Sequence, residues 1–184
     1  AESLQFAFHE AWGYLTACPS NTGTGLRASV LIHLPGLVLT HEMDAVVRGI
    51  TQMGFAVRGL FGEGTDALGN MFQVSNQITL GRSEQALLGM LSQAVAQLVE
   101  CEENAREALL SSVRSKIEDK VWRAWGILQH ARMLTSQEFM NLASAVRLGV
   151  GLKLIHQVSL QTLNELMVET QPSHLQFMLG RELE

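Results

Sequence analysis

A cysteine and an arginine frame a turn-rich loop near the start of this 184-residue chain. Cys18 begins the loop, residues 19–21 read Pro-Ser-Asn, two glycines follow, and Arg27 stands at the start of the next apolar run. Such a loop can present backbone N–H groups and a guanidinium to phosphate oxygens. The hydroxyl of Ser20, two residues after Cys18, can stabilise a thiolate and lower the thiol pKa. These residue types predict an anion site beside a reactive cysteine.

A second group of chemically capable residues lies about thirty positions further along, in residues 57–64. Arg58 ends an apolar run next to a glycine, and Glu63 stands between two glycines, where a loop carboxylate can reach a substrate. Taken singly, Arg27 and Arg58 are as consistent with exposed ion pairs as with phosphate binding. Glu63 alone fits a solvated acid, and Cys18 alone fits a small buried hydrophobe.

Taken together, the two groups resemble the signature of the phosphagen (guanidino) kinase family. The first carries C-P-S-N-x-G-T followed by R-A-S, and the second carries R-G-L-F-G-E-G. With residues 69–70, residues 75–81 and the helical tail, the chain is most similar to the bacterial protein arginine kinases of that family, over essentially its whole length. The resemblance implies ATP-dependent phosphoryl transfer to the guanidinium of arginine residues in proteins, with Mg²⁺ bound through the nucleotide.

The resemblance also implies roles for individual residues. Glu63 would orient the acceptor guanidinium and take its proton, the Cys18 thiolate would contact that guanidinium, and Arg27 and Arg58 would hold ATP phosphates. The implied catalytic residues are therefore Glu63 and Cys18. The implied ATP-binding residues are Arg27, Ala28, Ser29, Val30, Leu31, Arg58, Gly59, Leu60, Phe61, Gly62 and Glu63.

Composition argues against nucleic-acid-binding, membrane-spanning and metal-binding proteins. The chain is 47% hydrophobic and 17% charged, with a formal net charge of −5 and scattered basic residues, which argues against nucleic acid as a partner. No apolar run is long enough for a membrane span, and neither the two cysteines nor the six histidines have metal-site spacing. We expect a cytoplasmic protein with no membrane or metal site.

Hydrophobic periodicity changes from two residues to 3.6 residues along the chain, which predicts an α+β fold with a small all-α part at its end. The resemblance implies that the sheet is antiparallel, with helices packed on it. We expect the catalytic part to cover residues 1–112 and a helical dimerisation domain to cover residues 113–184. Residues 100–103 fit a solvated helix face. The predicted strands are 10–17, 28–34, 55–60 and 71–80; the predicted helices begin near Thr40, after Ser83 and at residues 117, 135 and 159, the last ending at Pro172.

Two alternatives remain open. One is a small-molecule phosphagen kinase acting on free arginine or a related guanidine, against which the long tail argues. The other is an inactive dimerisation or pseudokinase module, against which the intact signature residues argue. The family's pattern also includes further arginines and a carboxylate upstream, so we expect the chain to be an incomplete fragment that is inactive by itself. We expect arginine-bearing proteins as substrates and a homodimer formed through the tail.

Overall fold

The computed structural model describes residues 5–60 and 67–180. A short hairpin of β1 (Phe8–His9) and β2 (Gly13–Tyr14) comes first, where the alternation predicted one longer strand. The main sheet contains β3 (Ser29–His33), β4 (Phe55–Gly59) and β5 (Met71–Asn76) in the order β3-β5-β4, with both pairs antiparallel. The described residues therefore confirm the predicted α+β class with an antiparallel sheet.

The sheet has one apolar and one polar face because side chains alternate along each strand. Phe55, Phe72 and Val74 are buried on the apolar face beneath the helices. Ser29, Gln73 and Arg58 lie on the other face, where the Gln73 amide donates a 3.0 Å hydrogen bond to Ser29. The polar face is therefore available to a ligand.

Two helices connect β3 to β4 across the apolar face. They are α1 (Pro35–Leu39) and α2 (Met43–Gln52), so the predicted single helix from about Thr40 is preceded by a short extra one. Glu102 caps α1, accepting hydrogen bonds from the N–H groups of Gly36 at 2.8 Å and Leu37 at 3.0 Å. Glu102 is 4% exposed, so the expectation of a fully solvated face at residues 100–103 is wrong at this position.

The longest element is α3 (Glu84–His130), capped by the Ser83 side chain. The sequence predicts two helices here, one after Ser83 and one from residue 117, and α3 consists of two helical stretches that meet at a kink. At Val113 the backbone leaves helical geometry, with φ −139° and ψ 32°. The interruption lies one residue beyond the predicted boundary at 112.

Three further helices follow: α4 (Ser136–Gly151), α5 (Leu160–Glu169) and α6 (Pro172–Leu179). The predicted caps are present, since Thr135 accepts from the Glu138 N–H and Ser159 accepts from the Thr162 N–H. Pro172 does not end α5; it opens α6 from its first turn, where a missing N–H costs nothing.

The helices that follow α3 pack both against α3 and against the part of the chain that contains the sheet. One cluster joins Val121 of α3 to Val146 and Leu148 of α4. Another places Leu60 and Leu68 against Met140 and Met167. No helix in the described ranges combines the length and apolarity that crossing a membrane requires.

Candidate functional site

A polar pocket of about 270 Å³ lies at one end of the sheet. Arg27 comes from the segment before β3, Arg58 from β4, and Ser75 from β5 between them. Because β3 and β4 both pair with β5, two arginines far apart in sequence lie on either side of one strand. The described lining residues are Ser20, Asn21, Arg27, Ala56, Arg58, Ser75, Asn76, Gln77 and Thr79.

Strand register places both guanidinium groups on the polar face. Arg58 lies opposite Gln73, and Ser75 lies opposite Ala56 on one side and Ser29 on the other. The Arg27 Nη2 donates to the Ser75 hydroxyl at 3.3 Å. Two guanidinium groups held on either side of β5 form a cationic surface that is suited to spreading phosphate charge.

Asn76 fixes the segment that carries Arg27. Its side-chain carbonyl accepts from the Ala28 N–H at 2.8 Å, and its amide donates to the carbonyls of Leu26 at 3.0 Å and Ile78 at 3.3 Å. These bonds also explain why β5 ends at Asn76 although alternation continues to residue 80. Ile78 and Leu80 consequently remain exposed.

The Cys18 thiol lies beside the Ser20 hydroxyl, the contact that the sequence predicted. Its Sγ lies 3.0 Å from the Ser20 Oγ, and the thiol is exposed. Hydrogen bonds from the Ser20 side chain and then its backbone lower the pKa of Cys18 below its ordinary value. Ser20 also lines the pocket, so it connects the thiol to the arginine site.

The loop that carries Cys18 packs closely against the residues that follow β5. The Thr79 hydroxyl donates to the carbonyls of Ser20 at 3.1 Å and Thr22 at 2.7 Å. Gly23 has φ +112°, and an added Cβ would collide with the Thr79 carbonyl oxygen. Only glycine satisfies both the dihedral and the close approach, so Gly23 holds the loop against the pocket.

The other implied site residues divide between the two faces. Ser29 and Leu31 lie on the polar face, whereas Ala28 and Val30 pack against the apolar core. Gly59 is buried, and Leu60 packs on the Met140 cluster. Phe61, Gly62 and Glu63 lie outside the described residues.

Sequence reasoning missed part of the pocket. Ser75, Asn76 and Thr79 were assigned to a strand and not to a site, yet all three line the pocket or hold its walls. A dense polar run after the apolar alternation was the available signal. Within residues 5–60 and 67–180, no three His, Cys, Asp or Glu side chains form a group able to hold a metal ion.

A polar sheet face that holds two arginines near Cys18 is suited to binding phosphate oxygens. Residues 1–105 match the ATP:guanido phosphotransferase C-terminal catalytic domain. The chain therefore belongs to the ATP:guanido phosphotransferase family. Residues 114–184 match the C-terminal domain of the protein-arginine kinase McsB.

Individual relatives extend the similarity over nearly the whole chain. The protein-arginine kinase of Moorella thermoacetica is 53% identical over 98% of this chain and 51% of its own length. That of Bacillus subtilis is 50% identical over 99% of this chain and 50% of its own length. The chain thus spans about half the length of these curated relatives. A solved taurocyamine kinase from Schistosoma mansoni is 34% identical, covering 56% of this chain and 14% of that one, with a TM-score of 0.49.

Proposed function

We propose that this chain is part of a kinase that transfers the γ-phosphoryl group of ATP to arginine side chains of proteins. The observation that carries the proposal is the pocket in which Arg27 and Arg58 flank Ser75, with Cys18 attached through Ser20. The protein-arginine kinases that are 50–53% identical to the chain support the choice of a protein acceptor.

In the proposed reaction a bond forms between an acceptor guanidinium nitrogen and the γ-phosphorus, and the bond from that phosphorus to the bridging oxygen of ADP breaks. Arg27 and Arg58 stabilise the charge on the phosphoryl oxygens. Glu63 orients the attacking nitrogen and takes its proton, and the Cys18 thiolate holds the guanidinium by charge. Positioning provides most of the rate because a protonated guanidinium is a poor nucleophile.

The proposed nucleotide site uses residues 27–31 and 58–63, with Mg²⁺ arriving on the ATP phosphates. Ser29 and Leu31 can contact the nucleotide with side chains, whereas Ala28 and Val30 can offer only backbone groups there. We also propose a cytoplasmic location.

We further propose two functional parts, residues 1–112 and a dimerising tail of residues 113–184. The irregular backbone at Val113 and the separate family matches on its two sides support this division.

The first prediction tests these roles with point variants of the full protein. Glu63→Ala should abolish phosphorylation of an arginine-rich protein by labelled ATP while ATP affinity changes little, since the carboxylate acts on the acceptor. Arg27→Ala and Arg58→Ala should weaken ATP binding in calorimetry and lower turnover by about 10²–10³-fold. The exposed Arg48 in α2 provides the matched control, Arg48→Ala.

Three outcomes would contradict the proposal. These are normal turnover in both pocket variants, loss of ATP affinity in Glu63→Ala, or phosphorylation of free arginine in preference to protein.

A further inference from the structure

A second polar pocket, of about 230 Å³, lies where the sheet meets the tail. His33 of β3 lies at one wall, Arg106 of α3 at another, and Arg147 and Gly151 of α4 at the third. An added Cβ at Gly151 would lie 2.9 Å from the Arg106 Nη1, so the guanidinium lies directly against the end of α4. Leu31 lines this pocket and also belongs to the proposed nucleotide site, whereas His33, Arg106, Arg147 and Gly151 do not.

The pocket has an excess of positive charge. Arg106 Nε donates to Glu102 at 2.6 Å, but that carboxylate also accepts the two N–H groups of α1. Arg147 donates only to the neutral amide oxygen of Asn164 and has no carboxylate partner in the described ranges. Glu102 therefore pairs with Arg106, and the charge of Arg147 is left without a carboxylate in the described ranges.

The surroundings make this excess of positive charge unfavourable unless a counter-ion balances it. Burial, and then repulsion by Arg106, lowers the pKa of Arg147. A half-buried cation beside a second cation loses hydration without gaining a counter-charge. Each guanidinium has five N–H donors, and only one of each finds an acceptor in the described part of the chain.

His33 contributes a neutral polar wall. Its Nε2 lies 2.9 Å from the Ser144 hydroxyl, which accepts from the Asn70 amide at 2.8 Å, so the hydroxyl proton is free to point to Nε2. Burial, reinforced by Arg147 and Arg106, lowers the pKa of His33 to about 3. The charge of the pocket at neutral pH therefore comes from the arginines.

We propose that Arg106 and Arg147 form a binding site for a small phosphate oxyanion, separate from the ATP pocket. Paired guanidinium groups match tetrahedral oxyanions through charge-assisted hydrogen bonds. A volume of about 230 Å³ admits one phosphate group with a few waters, since each water occupies about 30 Å³ of liquid. The ligand would contact β3, α3 and α4 together and would stabilise the junction between sheet and tail.

The test is calorimetric titration of the purified protein with sodium orthophosphate against sodium chloride at equal ionic strength. Arg147→Gln should weaken phosphate binding by about 10-fold or more, because it removes a charged donor. Arg123→Gln is the matched control, since Arg123 is an exposed α3 arginine already paired with Asp119. Arg27→Gln reports any phosphate bound in the ATP pocket. A titration with glycerol phosphate distinguishes free phosphate from a phosphomonoester as the ligand.

A second measurement needs no variant. Phosphate should slow phenylglyoxal modification of Arg106 and Arg147 in the wild-type protein, as mapped by mass spectrometry, while Arg123 is unprotected. Protection of these two residues, with phosphate affinity lost only in Arg147→Gln, supports the site. The proposal is overturned if phosphate does not bind at millimolar concentration, if affinity falls in Arg27→Gln but not in Arg147→Gln, or if neither arginine is protected.

Discussion

The lowered pKa of Cys18 depends on a residue that is close to it in sequence. The hydroxyl that lowers its pKa belongs to Ser20, two positions away, so the effect was visible in the sequence. We predict that Cys18 reacts with iodoacetamide faster than the exposed Cys101 at neutral pH. Ser20→Ala should raise the pKa of the Cys18 thiol and shift its rate profile to higher pH. Equal profiles for Ser20→Ala and the wild type would show that the hydroxyl does not stabilise the thiolate.

His33 yields a prediction about stability and pH. The folded state holds its pKa at about 3, against an ordinary value of 6.5, so the unfolded chain takes up the proton first as pH falls. The contribution to stability is complete above pH 6.5 and is lost on acidification toward pH 3, at about 1.4 kcal/mol per pH unit.

Urea unfolding between pH 7.5 and 4.5 measures this effect. The free energy of unfolding should fall less steeply with pH in His33→Gln than in the wild type. His156→Gln, at an exposed position, should follow the wild-type slope. Parallel curves for all three proteins would contradict the assignment.

At the scale of elements, the crossing of α3 and α4 depends on a glycine. A Cβ at Gly149 would overlap the Val121 Cγ1 and lie 3.3 Å from the Ile155 Cδ1, both in the buried cluster of the tail. Gly149→Ala should therefore destabilise the protein by about 1–3 kcal/mol through overpacking.

For Gly126, a matched glycine in α3, we expect the opposite effect of alanine on stability. Gly126 lies in α3 with open space around its added Cβ, so Gly126→Ala should stabilise by about 0.5–1 kcal/mol through helix propensity. Thermal unfolding of both variants provides the comparison. The same sign of change in both would show that the crossing is not tight at Gly149.

At the scale of the whole molecule, the tail leaves apolar surface uncovered. Leu163 and Met167 are buried, but Trp122 is 45% and Phe177 is 86% exposed. Val121 and Ala124 of α3 are buried within the chain, whereas Trp122 and Ile127 of the same helix are exposed. A two-fold dimer would cover this surface.

Sedimentation across a concentration series tests the dimer. Trp122→Gln should weaken association by about 10-fold or more, as expected for a large aromatic at an interface. Trp12→Gln is the control, because Trp12 is 55% exposed in the β1–β2 hairpin, away from the tail. A monomer at every concentration, or equal losses in the two variants, would assign the exposed tail surface to another role.

The sequence by itself determined the features that depend on neighbouring residues. Helix caps at Ser83, Thr135 and Ser159, the alternation of the strands and the Cys18–Ser20 contact all act over a few positions. Their physical causes, hydrogen bonding to adjacent N–H groups and burial of one face, are present in any short stretch of chain.

Only the tertiary structure decided which distant residues meet. Arg27 and Arg58 share a pocket because β5 pairs with both β3 and β4, and Glu102 is buried because α1 begins against it. Likewise, Ile117 and Val121 of α3 are buried because residues of α4 pack against them. Burial energy comes from contacts between elements, and no periodicity within one element specifies its partner.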